Sequence, residues 1–248
     1  MNATILTNAI PQRLAIIGIL CLGSGVAALG EASPDELKQR ILAQTQSISP
    51  DDYAFTRTIR SDGVSNGKSE KKVRVEKFDP TKPAEARWTL VSVDGAAPSA
   101  DDLDRFRKDA PKRRMPGYYR LAGYFGSTAT ASADSRGRTV FHFAALPKDT
   151  VKVMDSDVSG NATAEATLGE ADGVQFVEQI HLSVRPMRIK LIAKLNSYEY
   201  TARFRMGPEG KPLLMEQNSE MSGSGMGQEG HGHTVVTYSD YRAVTPHR

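Results

Sequence analysis

The sequence has almost no cysteine: Cys21 is the only one, and it lies within the first thirty residues. A chain trimmed beyond that point carries no thiol, which excludes disulfides, thiolate catalysis and cysteine-ligated metal from it. Charge of one sign is lacking too. Lys and Arg total 32 against 29 Asp and Glu, and the small excess is scattered, so the basic stripe of a nucleic-acid-binding surface is missing. No apolar run reaches the roughly 20 residues that a membrane-spanning helix needs. There is no His-Glu-x-x-His and no Cys/His zinc spacing. Gly63-Val64-Ser65-Asn66-Gly67-Lys68-Ser69 holds three residues between its glycines where a phosphate loop holds four. A charged, alternating stretch follows it, not a helix that would aim its N-terminus at phosphate. Gly223-Ser224-Gly225 is no nucleophile elbow, and Asp101, Asp102 and Asp104 crowd a helix start where carboxylates favour the dipole. No nucleophile, base and orienter can be assembled and no cofactor pattern is present, so the sequence points away from an enzyme.

The N-terminal segment 1–30 reads as an export signal. Arg13 precedes the apolar run Leu14-Ala15-Ile16-Ile17-Gly18-Ile19-Leu20-Cys21-Leu22, and Ala28-Leu29-Gly30 fits the small-x-small rule, placing cleavage near Gly30. Leu20 stands where a lipoprotein signal needs a small residue before its cysteine. The expected location is therefore the periplasm. Residues 31–248 remain as one domain long enough for a sizeable core.

Two helices are legible. Ser33-Pro34-Asp35-Glu36 is a capping box with proline in the first turn, and Leu37, Ile41 and Leu42 form an apolar stripe up to Gln46. Ser99 and Asp102 repeat the capping pattern for 99–108, with Leu103 and Phe106 as apolar contacts. The basic loop Lys112-Arg113-Arg114 follows, and 118–125 is ambiguous between helix and strand. Elsewhere the period is two. Alternation marks Tyr53 to Ile59, then Val73 and Val75, then Trp88, Leu90 and Ser92. It returns at Phe141 and Phe143, from Val174 to Val184, from Met187 to Leu195, from Tyr198 to Met206, at Leu213 and Met215, and from Val235 to Tyr241. Turns are expected at 61–67, with Asn66-Gly67 at its end, at Asp94-Gly95 and at 207–210. The pattern predicts a mainly β (α+β) fold: a curved antiparallel half-barrel of about eleven strands covered by two or three short helices.

The helices supply few apolar residues to cover so large a sheet. Phe55, Trp88, Leu103, Phe106, Phe143, Phe176, Ile189, Leu191, Met206, Leu213 and Met215 are accordingly the expected lining of an apolar cavity, methionine being suited to varied shapes. The function this implies is binding or carriage of a lipid or another apolar ligand, without covalent chemistry. An alternative is an envelope module that docks a protein or membrane surface and holds no internal ligand. A third reading takes Met221, Met226, His231 and His233 as copper ligands, although glycines make 222–232 read as a flexible hairpin tip.

An export signal, a capped first helix and strands ending in Thr237-Tyr238-Ser239-Asp240-Tyr241-Arg242 resemble the LolA-like periplasmic proteins, a set of lipoprotein-sorting and carrier folds. Glu76-Lys77-Phe78-Asp79-Pro80, Arg87-Trp88-Thr89-Leu90 and Val93-Asp94-Gly95 look like one branch of that set. The resemblance implies an open β half-barrel lidded by helices around a cavity for acyl chains. In the lipoprotein carrier an arginine of an early strand secures the lid. Arg57 and Arg60 lie in the first strand here, without its flanking motif, and the role is not transferred to them.

Overall fold

The structure, a computed structural model, describes residues 32–65, 67–110, 113, 115–190, 193–225 and 228–244. Residues 1–30, read above as an export signal, and Asn66, Lys112, Arg114, Leu191 and Met226 lie outside them.

Both capped helices form as their sequences dictate. In α1 (Pro34–Gln46) the Glu36 amide donates to Ser33 Oγ, and the Ser33 amide donates to the Glu36 carboxylate at 3.0 Å. Leu37 and Ile41 are buried. Helix α2 (Ala100–Lys108) has the same reciprocal pair in Ser99 and Asp102. The ambiguous stretch is helical: a 3₁₀ turn, Tyr118–Leu121, runs into a short α3, Ala122–Phe125.

The strands are β1 (Tyr53–Ser65), β2 (Lys68–Phe78), β3 (Trp88–Val93), β4 (Thr130–Ala133), β5 (Thr139–Phe143), β6 (Lys152–Val153), β7 (Ser156–Asp157), β8 (Ala162–Ala171), β9 (Val174–Val184), β10 (Met187–Lys190), β11 (Ala193–Met206), β12 (Pro212–Gly225) and β13 (Gln228–Ala243). Eleven of them make one antiparallel sheet in the order β3-β2-β1-β13-β12-β11-β9-β8-β5-β4, with β10 pairing to β11 beside that path. The sheet is curved and not closed, a half-barrel with β3 and β4 as its edges. The small ribbon β6-β7 stands apart.

Four local expectations change. Residues 61–65 continue β1 instead of turning, because their backbone pairs with 68–72 on one side and 230–234 on the other. The Gly/Met/His stretch is strand-paired and not a loose tip: β12 reaches Gly225 and β13 starts at Gln228. The run from Met187 to Leu195 is split, with Leu195 belonging to β11 opposite Met187 of β10. Strand β8, whose inward residues are Ala162, Ala164, Ala166 and Leu168, has too weak an apolar signal to be singled out from the sequence.

Glycine in β12 has a steric reason. A Cβ at Gly223 would stand 2.6 Å from the Lys194 carbonyl oxygen of β11, whereas one at Gly232 would meet nothing within 4 Å. Gly223→Ala is thus expected to destabilise by about 1–3 kcal/mol, as overpacking does. Gly232→Ala is expected to stay within about 0.5 kcal/mol of the parent in urea melts, like a substitution that meets no neighbour. Equal behaviour of the two variants would sink this account.

The core lies on the sheet face that α1, the 3₁₀ turn and α3 cover. Phe125 is fully buried between Phe141 and Phe143 of β5, with ring centroids 5.5 and 5.3 Å away in edge-on geometry. Tyr118 stands edge-on to Phe204 of β11 at 5.1 Å. Its hydroxyl donates to Gln44 Oε1 of α1 at 2.7 Å and accepts the Val177 amide of β9 at 2.8 Å. One side chain therefore joins the first helix, the 118–125 segment and the sheet.

Candidate ligand-binding site

The 118–125 segment and the sheet line a half-open cavity of about 160 Å³. Arg120 and Tyr124, one helical turn apart, line it from above. Below are Ile180 and Leu182 of β9, then Tyr198, Tyr200, Ala202 and Phe204 of β11, which share a face at period two. Leu214 and Gln217 of β12 complete that floor, and Lys152 stands at the side. A bulge at Arg203/Phe204 pairs Phe204 with Leu214, so Leu214 faces the cavity and Met215 becomes the extra residue.

The polar groups of the floor are chained. The Tyr238 hydroxyl donates to Gln217 Oε1 at 2.6 Å, and Gln217 Nε2 donates to the Tyr200 hydroxyl at 2.5 Å. Burial raises the phenol of Tyr124 to about 12 and pushes Tyr198 and Tyr200 up as well. The Arg120 cation pulls Tyr124 and Tyr198 back down in part.

Burial is the leading cause of a raised pKa at all eight tyrosines, with Tyr53 and Tyr238 also held at about 12. Unfolded phenols lose their proton near pH 10. Above that pH the unfolded chain has released protons that the native chain retains, so stability is full below about pH 10 and falls as pH rises toward 12. Phenolate absorbance of the native protein is expected to show no step near pH 10, then one cooperative step that coincides with loss of circular dichroism. Several tyrosines ionising near pH 10 with the dichroism intact would contradict this.

The apolar residues named from the sequence fall in several places. Phe55 and Trp88 pack with Phe78 at one end of the face, where Tyr238 and Tyr241 also touch Phe55. Leu213 joins Phe55 around a crevice of only about 40 Å³. Phe143 and Phe176 are buried in the main core, while Ile189 and Met206 are half-buried against it. Leu103 and Phe106 of α2 stand outside that core cluster, Phe106 lying under the Arg113 guanidinium at 3.5 Å. Met215 is half-buried, and Leu191 lies outside the described residues. The cavity floor itself is built by Tyr198, Tyr200, Phe204 and Leu214, joined by Arg120 and Tyr124 from above. The alternation from Tyr198 to Met206 signalled the first three; the register at the bulge, which decides Leu214, is invisible in sequence.

On the same face, Arg57 Nη2 meets Glu76 Oε2 at 2.6 Å, and its guanidinium stacks on Trp88 at 4.0 Å. Its partner is thus the neighbouring strand and not the helical lid. Arg60 is exposed. Met221 packs toward the core, whereas His231 and His233 sit at the opposite parity of β13, with His233 Nε2 bonded to Asn218 Oδ1 at 2.8 Å. Thioether and imidazoles therefore point to different faces. Among the described residues no three His, Cys, Asp or Glu side chains gather as metal ligands.

Two outer features were not legible in the sequence. A surface groove of about 710 Å³ runs along 126–130, 142–147 and 163–165, wide open to solvent. Ser132 Oγ lies 2.8 Å from His142 Nε2, and His142 Nδ1 lies 3.1 Å from Glu165 Oε1. These are the distances of a nucleophile, base and orienter. The His142 and Glu165 side chains are 39% and 56% exposed on the outside of the sheet, where water competes for each bond and screens the charge.

No family model matches the sequence, and no curated protein matches it. Among solved structures, the chain is similar to a DUF1329 family protein from Desulfovibrio piger at 8% identity and TM-score 0.35, covering 88% of this chain and 96% of that one. A LolA superfamily protein from Nitrosomonas europaea aligns at 11% identity and TM-score 0.32, over 84% and 94% of the two chains. A lipovitellin structure concerned with lipid–protein interactions aligns at 7% identity and TM-score 0.35, over 79% of this chain and 26% of that one. Each is a likeness of fold alone.

Proposed function

We propose that this chain is an exported, periplasmic binding or carrier protein that holds a lipid-like molecule on the inner face of its half-barrel and makes or breaks no bond in it. One observation supports the reading: a cavity whose apolar wall of Leu121, Ile180, Leu182, Ala202, Phe204 and Leu214 is shared with Arg120, Tyr124, Tyr198, Tyr200 and Gln217 lies under a short helical segment. Its volume of about 160 Å³ resembles that of an apolar hole of about 150 Å³ that accepts benzene. The cavity therefore has room for a ring-sized group or a short piece of chain. A longer chain enters when the 118–125 segment lifts, and each methylene then buried contributes about 0.8 kcal/mol. Ordering and association costs offset much of that, which suits a carrier that must release its cargo.

The test is native mass spectrometry of the gently purified protein, followed by solvent extraction and titration with a fluorescent fatty acid. A co-purifying amphiphile and saturable binding are expected, with binding lost in Ala202→Phe, which fills the cavity. Absence of both in the parent protein would overturn the proposal. Fractionation of cells expressing the full chain should place a shortened product in the periplasm, and retention of the uncut chain in the cytoplasm would count against the location.

A further inference from the structure

We propose that the cavity takes the oxyanion head of a single-chain amphiphile, with the Arg120 guanidinium as its counter-charge and the phenols of Tyr124 and Tyr198 beside it. This rests on the carrier reading above and narrows it to anionic ligands.

The lining contains two cations, Arg120 and Lys152, and no carboxylate. Lys152 is already matched, its Nζ lying 2.7 Å from Asp149. Among the described residues no ion pair holds Arg120, although the sheet beside it offers many polar groups. Arg57, on the same inner face, is bound to Glu76 and cannot serve without breaking that bond. Arg120 is half-buried between aromatic walls, and its charge is felt by Tyr119, Tyr124, Tyr198 and Tyr238. A cation held in partly apolar surroundings without a partner is an incomplete arrangement. A carboxylate or phosphate completes it, because a guanidinium offers a planar fork of donors to such groups and phenols add further ones. The apolar floor from Ile180 to Leu214 then receives the first carbons of the chain.

Calorimetric titration of the purified full protein with dodecanoate, dodecyl phosphate, dodecanol and acetate tests this. Dodecanoate or dodecyl phosphate is expected to bind at least tenfold more tightly than dodecanol, a difference of about 1.4 kcal/mol. Arg120→Gln should remove that preference, and a circular dichroism spectrum and urea midpoint matching the parent's should report that the variant is folded. Arg120→Lys should restore part of it. Equal binding of dodecanol and dodecanoate to the parent protein would overturn the headgroup assignment while leaving the carrier reading intact. Acetate binding as tightly as dodecanoate would overturn the assignment by showing a site for free anions, and no binding by any of the four would remove the carrier reading itself.

Discussion

Glu76→Ala is expected to lower stability by about 3–5 kcal/mol, the range for removing one member of a buried ion pair. The Glu76 side chain is 1% exposed and accepts two bonds from Arg57, from Nε at 2.9 Å and from Nη2 at 2.6 Å. Arg74 approaches the same carboxylate at 3.9 Å. Arg113 carries a buried Nη1 that has no partner among the described residues, and it feels the Glu76 charge. Without the carboxylate, three guanidiniums remain together, and only Asp109 acts on Arg113 from nearby. The double replacement Arg57→Met with Glu76→Leu is expected to recover part of the loss, since an apolar pair of similar volume removes the desolvation costs of Arg57 and Glu76 while Arg74 and Arg113 still lack the carboxylate. Urea melts of the two variants decide the matter. A Glu76→Ala protein within 1 kcal/mol of the parent would show that water or a neighbour already neutralises this cluster, an outcome outside the usual range for such pairs.

Phe125→Ala should cost a similar amount, about 3–5 kcal/mol, for the loss of a large aromatic side chain from a closed core. Phe125 is 0% exposed and is the point where α3 is pinned to β5. α3 has four residues, too few to be stable by itself, so its position depends on this contact and on Tyr118 in the preceding turn. The same variant is expected to exchange the amide hydrogens of 118–126 faster than the parent and to take up a fluorescent fatty acid faster. A loss below 1 kcal/mol with unchanged exchange would mean that the segment is held elsewhere, and the lid account would go with it.

The sequence carried the outline of this fold where chemistry acts locally. Ser33 and Ser99 announce their helices because a hydroxyl followed at the third position by a carboxylate satisfies two orphan amides. Asp94-Gly95 announces its turn because both residues take positive φ, 51° and 82°. Alternation from Tyr198 to Met206 correctly sets the inward face of β11. What the pattern conceals is register. A bulge at Thr167/Leu168 places Val177, not Phe176, in line with Ile180, Leu182 and Val184, and a second at Arg203/Phe204 turns Leu214 inward. Each inserts one residue, which reverses every side chain beyond it, and neither leaves a mark in composition. The candidate site is further hidden by its chemistry: tyrosines, an arginine and a glutamine share its walls with leucine, isoleucine and phenylalanine, whereas a pattern of apolar lining selects only the latter kind. Glycines at 223, 230 and 232 mimic a loop, although at Gly223 the missing side chain is what lets two backbones approach.

Strands β1 and β13, far apart in the chain, meet in one long seam inside the sheet, with Tyr53 of β1 facing Ala243 of β13 and Val64 facing His231. Assembly of the sheet must therefore wait for β13 to be delivered, and contacts this distant in sequence form slowly. A polypeptide threaded N-terminus first through a narrow channel would stay open until β13 emerged, then zip it between β1 and β12 in one late step.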